Sequence, residues 1–244
     1  RLSIEATVKK LVGERGYPAA VAEILYPTDF AIRGLLIDKA NGNVLKMDRY
    51  AFVGRAYHGL RRLPREERRA LYKEREVRTN LPEYHWCDTL YALPEATMYA
   101  AIIAFFEERN RLVDYEKLFH DIRECIDLSH QDGTILDVLL ADPDRYVEKD
   151  PLLGPTLHKL RSAGKRLFLL TNSRMPYTDR MMSYLLDGSV PEYPSWRQFF
   201  DVAIVGAKKP SFFEKGAAFL ERDNGTTRPL GTPTLERGRI YEGG

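Results

Sequence analysis

Apolar side chains recur with helical spacing in several stretches of the chain. Residues 2–12 carry them on one side and predict an amphipathic helix, which the Gly16-Tyr17-Pro18 turn ends. Further helices are predicted over residues 19–25, 61–78, 94–109, 114–130 and 152–162. The segment 94–109 is strongly apolar, whereas 61–78 is rich in Arg, Lys and Glu. The two compositions therefore predict a buried helix over 94–109 and a helix in contact with water over 61–78.

A β-hairpin is predicted between the first helices. Segments 32–38 and 44–50 flank Asn41-Gly42, the strongest short signal for a tight turn between antiparallel strands. Residues 30–130 are therefore interpreted as a mixed module of a hairpin and helices.

Two short apolar runs predict parallel strands in the last third of the chain. Residues 167–170 follow a predicted helix and Gly164, and residues 202–205 follow the next predicted helix. This order is typical of a right-handed βαβ unit with a buried parallel sheet. Two strands cannot bury both faces of a sheet, so we expect the other strands to come from outside residues 1–244 or from a partner. Residues from Glu221 onward are expected to form loops and short strands.

Composition narrows the class of protein only slightly. The chain has 244 residues, 44% of them hydrophobic, and a net charge of +2, which is enough apolar material for a folded core and favours no charged partner. Cys87 and Cys125 show no metal-binding or redox spacing and are interpreted as buried thiols in a reducing compartment. Residues 1–10 lack a signal peptide and the longest apolar stretch is too short to span a bilayer, which predicts a cytoplasmic protein without membrane contact.

Polar side chains follow the two predicted parallel strands. Thr171-Asn172-Ser173 comes directly after the first strand, and Lys209 comes shortly after the second. The carboxyl ends of parallel strands are where open α/β sheets bind ligands, and a hydroxyl, an amide and an ammonium suit a phosphoryl group. Each signal alone has a simpler interpretation, as a helix cap or as a solvated lysine. Their order and spacing together favour an anion site.

Arg123, Asp127 and His130 share one face of the predicted helix over 114–130. The simpler interpretation is an arginine–aspartate surface pair beside a partly buried histidine. The functional alternative is recognition of a heteroaromatic base, because a guanidinium and a carboxylate complement its acceptor and donor edges.

Two other patterns are interpreted as structural. Glu66, Glu67, Glu74 and Glu76 interleave the basic run 61–78, which favours a solvated helix face over a nucleic-acid site. Asp142-Pro143-Asp144 has the spacing of an aspartyl nucleophile motif, but Pro143 lacks the backbone N–H that such a loop offers to phosphate. A helix end followed by a turn is the better interpretation.

Taken together, the motifs resemble those of a known family. They are Arg33-Gly34-Leu35, Asp38, Gly42-Asn43, Leu45-Lys46, His58-Gly59, Leu93-Pro94-Glu95, Asp121-Ile122-Arg123, Asp127, His130, Leu170-Thr171-Asn172-Ser173, Tyr177-Thr178, Lys209-Pro210, Phe212-Phe213 and Tyr241-Glu242-Gly243-Gly244. In this order they resemble the cytosolic purine 5′-nucleotidases of the haloacid dehalogenase superfamily, the group that prefers IMP and GMP.

The resemblance implies an architecture for the chain. It implies an α/β fold, with a Rossmann-like parallel sheet as the core and an inserted α+β cap module. On this basis residues 1–30 are predicted to be a helical lead-in, 31–148 the cap that recognises the substrate, and 149–244 part of the core.

The resemblance also implies the reaction and its residues. Members of the superfamily use an aspartate nucleophile, an aspartyl-phosphate intermediate and Mg²⁺. By resemblance, Thr171 and Asn172, with Ser173 beside them, and Lys209 bind the phosphoryl group; Arg123 and Asp127 recognise the purine, and His130 lies close to the nucleotide. The nucleophile is expected before Arg1 and the acidic Mg²⁺-binding motif after Gly244. No metal ligand is therefore expected within residues 1–244, and the chain is interpreted as a piece of a longer protein.

Two alternatives remain open at this stage. One is a phosphatase of the same superfamily that acts on another phosphomonoester. The other is a non-catalytic nucleotide-binding protein. The resemblance implies a small-molecule purine nucleotide as the partner, with self-association of the chain as a further expectation and no role for nucleic acid.

Overall fold

The computed structural model describes residues 1–72, 77–223, 226–230 and 234–243. The chain divides into two units, residues 1–135 and residues 136–244, and each is described by itself. The predicted lead-in and most of the predicted cap lie in the first unit. Their assignment to a cap and a core stays a prediction.

The first unit combines helices with an antiparallel sheet. Its elements are α1 (Leu2–Arg15), a 3₁₀ helix (Ala19–Glu23), β1 (Leu35–Asp38), β2 (Asn43–Met47), β3 (Val53–His58), β4 (Arg61–Arg62), α2 (Arg65–Tyr72), β5 (Tyr84–Cys87), a second 3₁₀ helix (Leu90–Ala92), α3 (Leu93–Glu107) and α4 (Tyr115–Gln131). The strand order is β4–β3–β2–β1–β5, and neighbouring strands are antiparallel.

The predicted hairpin is confirmed in β1 and β2. Asp38 pairs with Asn43 at the end of the ladder, and the turn between them contains Gly42 at φ +66°. The Asp38 carboxylate accepts hydrogen bonds from the backbone N–H groups of Ala40 and Asn41, which holds the turn. A Cβ on Gly42 would lie 2.7 Å from the ring of Tyr115, so this position requires glycine both for its backbone and for its space.

Both faces of the first sheet are covered, because successive side chains of β1 point to opposite sides. Leu35 and Ile37 belong to the cluster that includes α1, α3 and α4, whereas Leu36 packs on the other face with Leu45 and Tyr72. Helix α3 is buried along most of its length, as its apolar composition predicts. The helices predicted over 2–12, 94–109 and 114–130 are confirmed, although α1 continues past Gly13 to a left-handed Gly16.

The second unit contains a mixed sheet with helices. Its elements are α5 (Leu136–Ala141), α6 (Pro143–Tyr146), α7 (Leu153–Ser162), β6 (Phe168–Leu170), α8 (Met175–Leu186), a 3₁₀ helix (Trp196–Phe199), β7 (Val202–Val205), α9 (Phe212–Lys215), β8 (Phe219–Asp223), β9 (Thr226–Pro229) and β10 (Arg239–Gly243). The strand order is β6–β7–β10–β8–β9. Strands β6, β7 and β10 are parallel, and β8 and β9 are each antiparallel to their neighbours. The predicted strand, helix and strand are confirmed in β6, α8 and β7.

Two expectations about this sheet were wrong. The strands that continue it come from the chain itself, since β10 pairs with β7 and β8 pairs with β10. The first predicted strand is also not buried: β6 lies at one end of the strand order among the described residues, and Phe168 is 67% exposed. An apolar run marks a strand, but the run does not show whether the strand lies at the centre or at the edge of its sheet. Strand β7 lies inside the sheet, and Ala203, Ile204 and Val205 are buried.

Several smaller predictions can be compared with the structure. Cys87 and Cys125 are buried free thiols, as predicted. The helix predicted over 61–78 is shorter than expected, because Arg61–Arg62 form strand β4 and α2 covers Arg65–Tyr72; Glu74 and Glu76 lie outside the described residues. Asp142 comes between the short helices α5 and α6, in agreement with a helix end and turn. Within the described residues, no helix has the length and apolar character needed to cross a membrane.

Candidate functional site

The carboxyl ends of β6 and β7 are joined by backbone hydrogen bonds beyond the last strand residues. The Thr171 N–H donates to Ile204 O at 2.9 Å, and the Ala207 N–H donates to Thr171 O at 3.0 Å. The Thr171 hydroxyl accepts a hydrogen bond from the Ser173 N–H at 3.1 Å, and Ser173 O accepts one from the Gly206 N–H at 2.9 Å. Backbone hydrogen bonds of Thr171 and Ser173 therefore join the end of β6 to the end of β7.

Asn172 holds the backbone of Lys209 with both ends of its side-chain amide. Its Nδ2 donates to Lys209 O at 3.0 Å, and its Oδ1 accepts from the Lys209 N–H at 2.7 Å. This is the pairing that a neighbouring strand would make with Lys209, supplied here by one side chain. The amide therefore positions the lysine across the gap between the two strand ends.

Lys209 reaches back to the end of β6. Its Nζ donates to Leu170 O at 2.9 Å, which places the ammonium beside the residue that precedes Thr171. An ammonium has three N–H donors, and this contact uses one of them. The four residues predicted from the sequence at this edge, Thr171, Asn172, Ser173 and Lys209, thus lie on adjoining strand ends.

Glu242 lies near the carboxyl end of β10, level with the carboxyl end of the parallel strand β7. It was not among the predicted site residues. It pairs in register with Val205 on the parallel strand β7, and its carboxylate accepts a hydrogen bond from the guanidinium of Arg222. A Cβ on Gly206 would lie 3.5 Å from the Glu242 side chain. The acidic residue nearest to the Gly206 turn is thus partly neutralised by an arginine.

Arg123 and Asp127 lie one turn apart on α4, in the first unit. Arg123 Nε is 3.6 Å from Asp127 Oδ2, and both side chains are at least partly exposed. His130 follows on α4 and makes an edge-to-face contact with the exposed ring of Tyr91, with the ring centroids 5.9 Å apart. Burial lowers the pKa of His130, while the charge of Asp127 acts in the other direction. The structure therefore brings together the three residues predicted on this helix face, beside an aromatic ring.

Beneath this helix face lies a buried carboxylate that the sequence reasoning did not assign to the site. Glu95, in the first turn of α3, is 2% exposed and accepts a hydrogen bond from Arg123 Nη1 at 2.7 Å. Burial raises the pKa of Glu95, and Arg123 opposes that shift. A signal was present in the sequence, because Glu95 is the only charged residue between Leu93 and Phe106. A lone acid in an apolar helix indicates a buried partner.

The second oxygen of Glu95 faces a histidine. His85, on β5, has its Nε2 3.5 Å from Glu95 Oε2, but neither atom has a hydrogen-bond partner among the described residues. Burial lowers the pKa of His85, and the charges of Arg123 and Lys39 lower it further. We therefore interpret His85 as a neutral ring beside the carboxylate, not as the second half of an ion pair.

No three His, Cys, Asp or Glu side chains within residues 1–72, 77–223, 226–230 and 234–243 form a group that could hold a metal ion. The two sets of predicted site residues lie in different units, with Arg123, Asp127 and His130 in the first and Thr171, Asn172, Ser173 and Lys209 in the second. Each set is therefore described on its own geometry.

Comparison with known proteins relates the whole chain to one family. The sequence profile of the 5′ nucleotidase family matches residues 1–244. A 5′-nucleotidase domain-containing protein of Dictyostelium discoideum is 35% identical over 228 residues, which cover 89% of this chain and 38% of that protein. The 5′-nucleotidase domain-containing protein 2 of Homo sapiens is 30% identical over 250 residues, covering 96% of this chain and 46% of the human protein. The protein of the same name in Rattus norvegicus is 29% identical over 96% of this chain and 44% of its own length. The chain thus spans less than half the length of these relatives.

Proposed function

Because the chain belongs to the 5′ nucleotidase family, we propose that it supplies the phosphate- and purine-binding residues of an enzyme that hydrolyses nucleoside 5′-monophosphates. IMP and GMP are the proposed substrates, and the haloacid dehalogenase type of core and a cytoplasmic location are parts of the same proposal. The observation that carries it is the Asn172–Lys209 pairing, which holds an ammonium beside the end of β6.

Lys209 and Thr171 are proposed to bind the phosphoryl group. The ammonium of Lys209 has N–H donors beyond the one that Leu170 O accepts, and these suit phosphoryl oxygens. Fixed positive charge at this place would offset the negative charge that develops as phosphorus is attacked. Asn172 acts through Lys209, since both polar atoms of its amide contact the lysine backbone. Ser173 contributes by joining the two strand ends.

Arg123 and Asp127 are proposed to select the base. A 6-oxo purine presents acceptors at O6 and N7 and a donor at N1, which match a guanidinium and a carboxylate respectively. An amino group at position 6 makes that position a donor and turns N1 into an acceptor, so both contacts are lost. The pair would therefore favour IMP over AMP, and His130 would lie beside the bound nucleotide.

The resemblance implies a carboxylate nucleophile and Mg²⁺. In the proposed reaction a carboxylate oxygen attacks phosphorus, the bond from phosphorus to the nucleoside oxygen breaks, and water then hydrolyses the aspartyl phosphate. The described residues offer no ligand set that fits the ion. The roles proposed for this chain are therefore binding and orientation of the nucleotide, and no step is derived through the metal.

The test replaces Lys209 by alanine in the intact protein. Loss of a fixed charge that stabilises the transition state should lower kcat for IMP by a factor on the order of 100–1,000. Lys208→Ala is the matched control, since Lys208 is the neighbouring lysine and its side chain is exposed. Equal activity of the Lys209→Ala variant and the Lys208→Ala control would remove the phosphoryl-binding role.

A substrate panel separates the proposal from its alternatives. Hydrolysis of IMP and GMP at higher kcat/KM than AMP, UMP and sugar phosphates supports the purine nucleotidase. A preference for another phosphomonoester would indicate a different phosphatase, and binding of IMP without turnover by the intact protein would indicate a nucleotide-binding protein.

A further inference from the structure

Glu95 is the buried one of the two acids that contact Arg123. Its carboxylate is almost completely buried, and its hydrogen bond to Arg123 Nη1 measures 2.7 Å. Among the described residues, its other oxygen has no hydrogen-bond partner. A buried carboxylate without a compensating donor is costly, so the guanidinium that satisfies Glu95 is held strongly in place.

The direction of Arg123 follows from two acids on different helices. Glu95 on α3 takes Nη1, and Asp127 on α4 lies 3.6 Å from Nε. Neither contact uses Nη2, so the N–H donors of that nitrogen remain free of both acids. Glu95 anchors the guanidinium from the protein interior, while Arg123 itself remains partly exposed.

The surroundings of Glu95 leave little freedom for another arrangement. His85 closes the side of Oε2 with its neutral ring, whose centroid lies 4.8 Å from that of Phe119. Glu95 also lies in the first turn of α3, where the helix dipole favours a negative charge. The first turn of α3 and the packed rings of His85 and Phe119 thus fix the position of the carboxylate. Arg123 supplies the positive charge that a buried carboxylate needs.

We infer that Glu95 is a positioning residue for base selection, which holds Arg123 in the direction that reads the 6-oxo group of a purine nucleotide. The inference rests on the proposed function and deepens it. Glu95 itself does not touch the nucleotide; it acts through the guanidinium. Its removal should therefore change the choice between bases that differ at position 6 more than it changes phosphoryl transfer.

The experiment compares IMP with AMP, which share the ribose and phosphate and differ at position 6. In the intact protein, Glu95→Gln keeps the shape of the side chain and removes its charge. The preference for IMP over AMP in kcat/KM should fall about tenfold, through a higher KM for IMP, because a hydrogen bond to a charged group is weakened. The kcat for AMP should stay close to the wild-type value, because the loss of a binding contact that is equal in the ground and transition states raises KM and leaves kcat unchanged.

Glu124→Gln is the matched control. Glu124 is the neighbour of Arg123 on α4, and its hydrogen bond of 2.6 Å goes to a different arginine, Arg15. This variant also loses an acid–arginine pair from α4 and should keep the IMP preference of the wild type. An equal loss of preference in both variants would overturn the inference, since the effect would then come from general weakening of the helix.

A double-mutant cycle tests whether Glu95 acts through Arg123. Arg123→Ala alone should lose the preference, and Glu95→Gln added to it should cause no further loss. The double variant should also have a higher Tm than Arg123→Ala, because it no longer buries an unpaired carboxylate. Independent, additive effects on the preference would contradict the inference.

The outcome separates this inference from the proposed function. An intact wild-type protein that hydrolyses IMP in preference to AMP, with the same preference in Glu95→Gln, would overturn the role of Glu95 alone. A wild-type protein that hydrolyses neither nucleotide would overturn both.

Discussion

The polar groups of the two units are held in place in different ways. At the strand edge of the second unit, Thr171, Asn172 and Ser173 make their contacts with backbone atoms of the neighbouring strand end. On the helix face of the first unit, Arg123 is held by the side chain of Glu95. A site built on backbone contacts depends on the strands being adjacent, whereas a site built on side-chain contacts depends on one buried partner. Under the proposed function, the first arrangement would hold the phosphate, which every nucleotide carries, and the second would read the base, which varies.

The largest expected effect tests the strand edge. Asn172→Ala removes both hydrogen bonds that hold the Lys209 backbone. A misplaced cation should lower kcat for IMP by about 100-fold, the loss expected when a reacting group shifts by about 1 Å. The measurement is steady-state kinetics of the intact protein, together with its Tm.

The exposed Gln198, also in the second unit, provides the control for this variant. Gln198→Ala should keep the kcat of the wild type. If Asn172→Ala has the same kcat, the positioning of Lys209 does not depend on the amide, and the contrast between the two regions is lost.

The next effect concerns the stability of the fold and a carboxylate at the amino ends of β6 and β7. Asp201 precedes β7, and its buried carboxylate accepts hydrogen bonds from the Leu167 N–H at 2.9 Å, from Arg161 at 3.3 Å and from the guanidinium of Arg237. Burial alone would raise the pKa of Asp201, but the Leu167 N–H and the two arginines lower it below its usual value. Asp201→Asn should lower the free energy of unfolding by about 2 kcal/mol at pH 7, through loss of hydrogen bonds to a charged group.

The pH dependence follows from the sign of this shift. A carboxylate whose pKa is lower in the folded state stabilises the fold above its unfolded pKa, and that stabilisation is lost as the pH falls through the folded pKa. The difference in unfolding free energy between the wild type and Asp201→Asn should therefore be full at pH 7 and should shrink toward pH 3. A difference that is the same at both pH values in urea titrations would contradict the assigned ionisation.

The smallest effect concerns the helix face. Asp127→Ala removes the acceptor proposed for the purine N1–H. The preference for IMP over CMP, whose base has an acceptor at N3 instead of a ring N–H, should fall about tenfold, the discrimination expected of one hydrogen bond to a charged group. The measurement is the ratio of kcat/KM for the two nucleotides. An unchanged ratio would assign Asp127 to the stabilisation of Arg123 and not to the base.

Local signals were sufficient for much of the fold and for the members of both polar groups. Helical spacing predicted α1, α3 and α4, Asn41-Gly42 predicted the hairpin, and apolar runs predicted β6 and β7. Each of these depends on neighbours in the sequence, which is why the pattern predicted it. The motifs at Thr171-Asn172-Ser173 and at Arg123 and Asp127 are local in the same sense.

The amino-acid pattern thus predicted most of the helices and strands and supplied the residues that are proposed to carry the chemistry. Only the folded chain showed that β10 lies beside β7, that β6 lies at one end of the strand order among the described residues, and that Arg123 donates a hydrogen bond to the buried Glu95. These relations join residues that are far apart in the sequence, such as Arg123 and Glu95, which are 28 positions apart. Pairing between strands and the satisfaction of a buried charge arise when distant segments pack together, and no local periodicity encodes that choice.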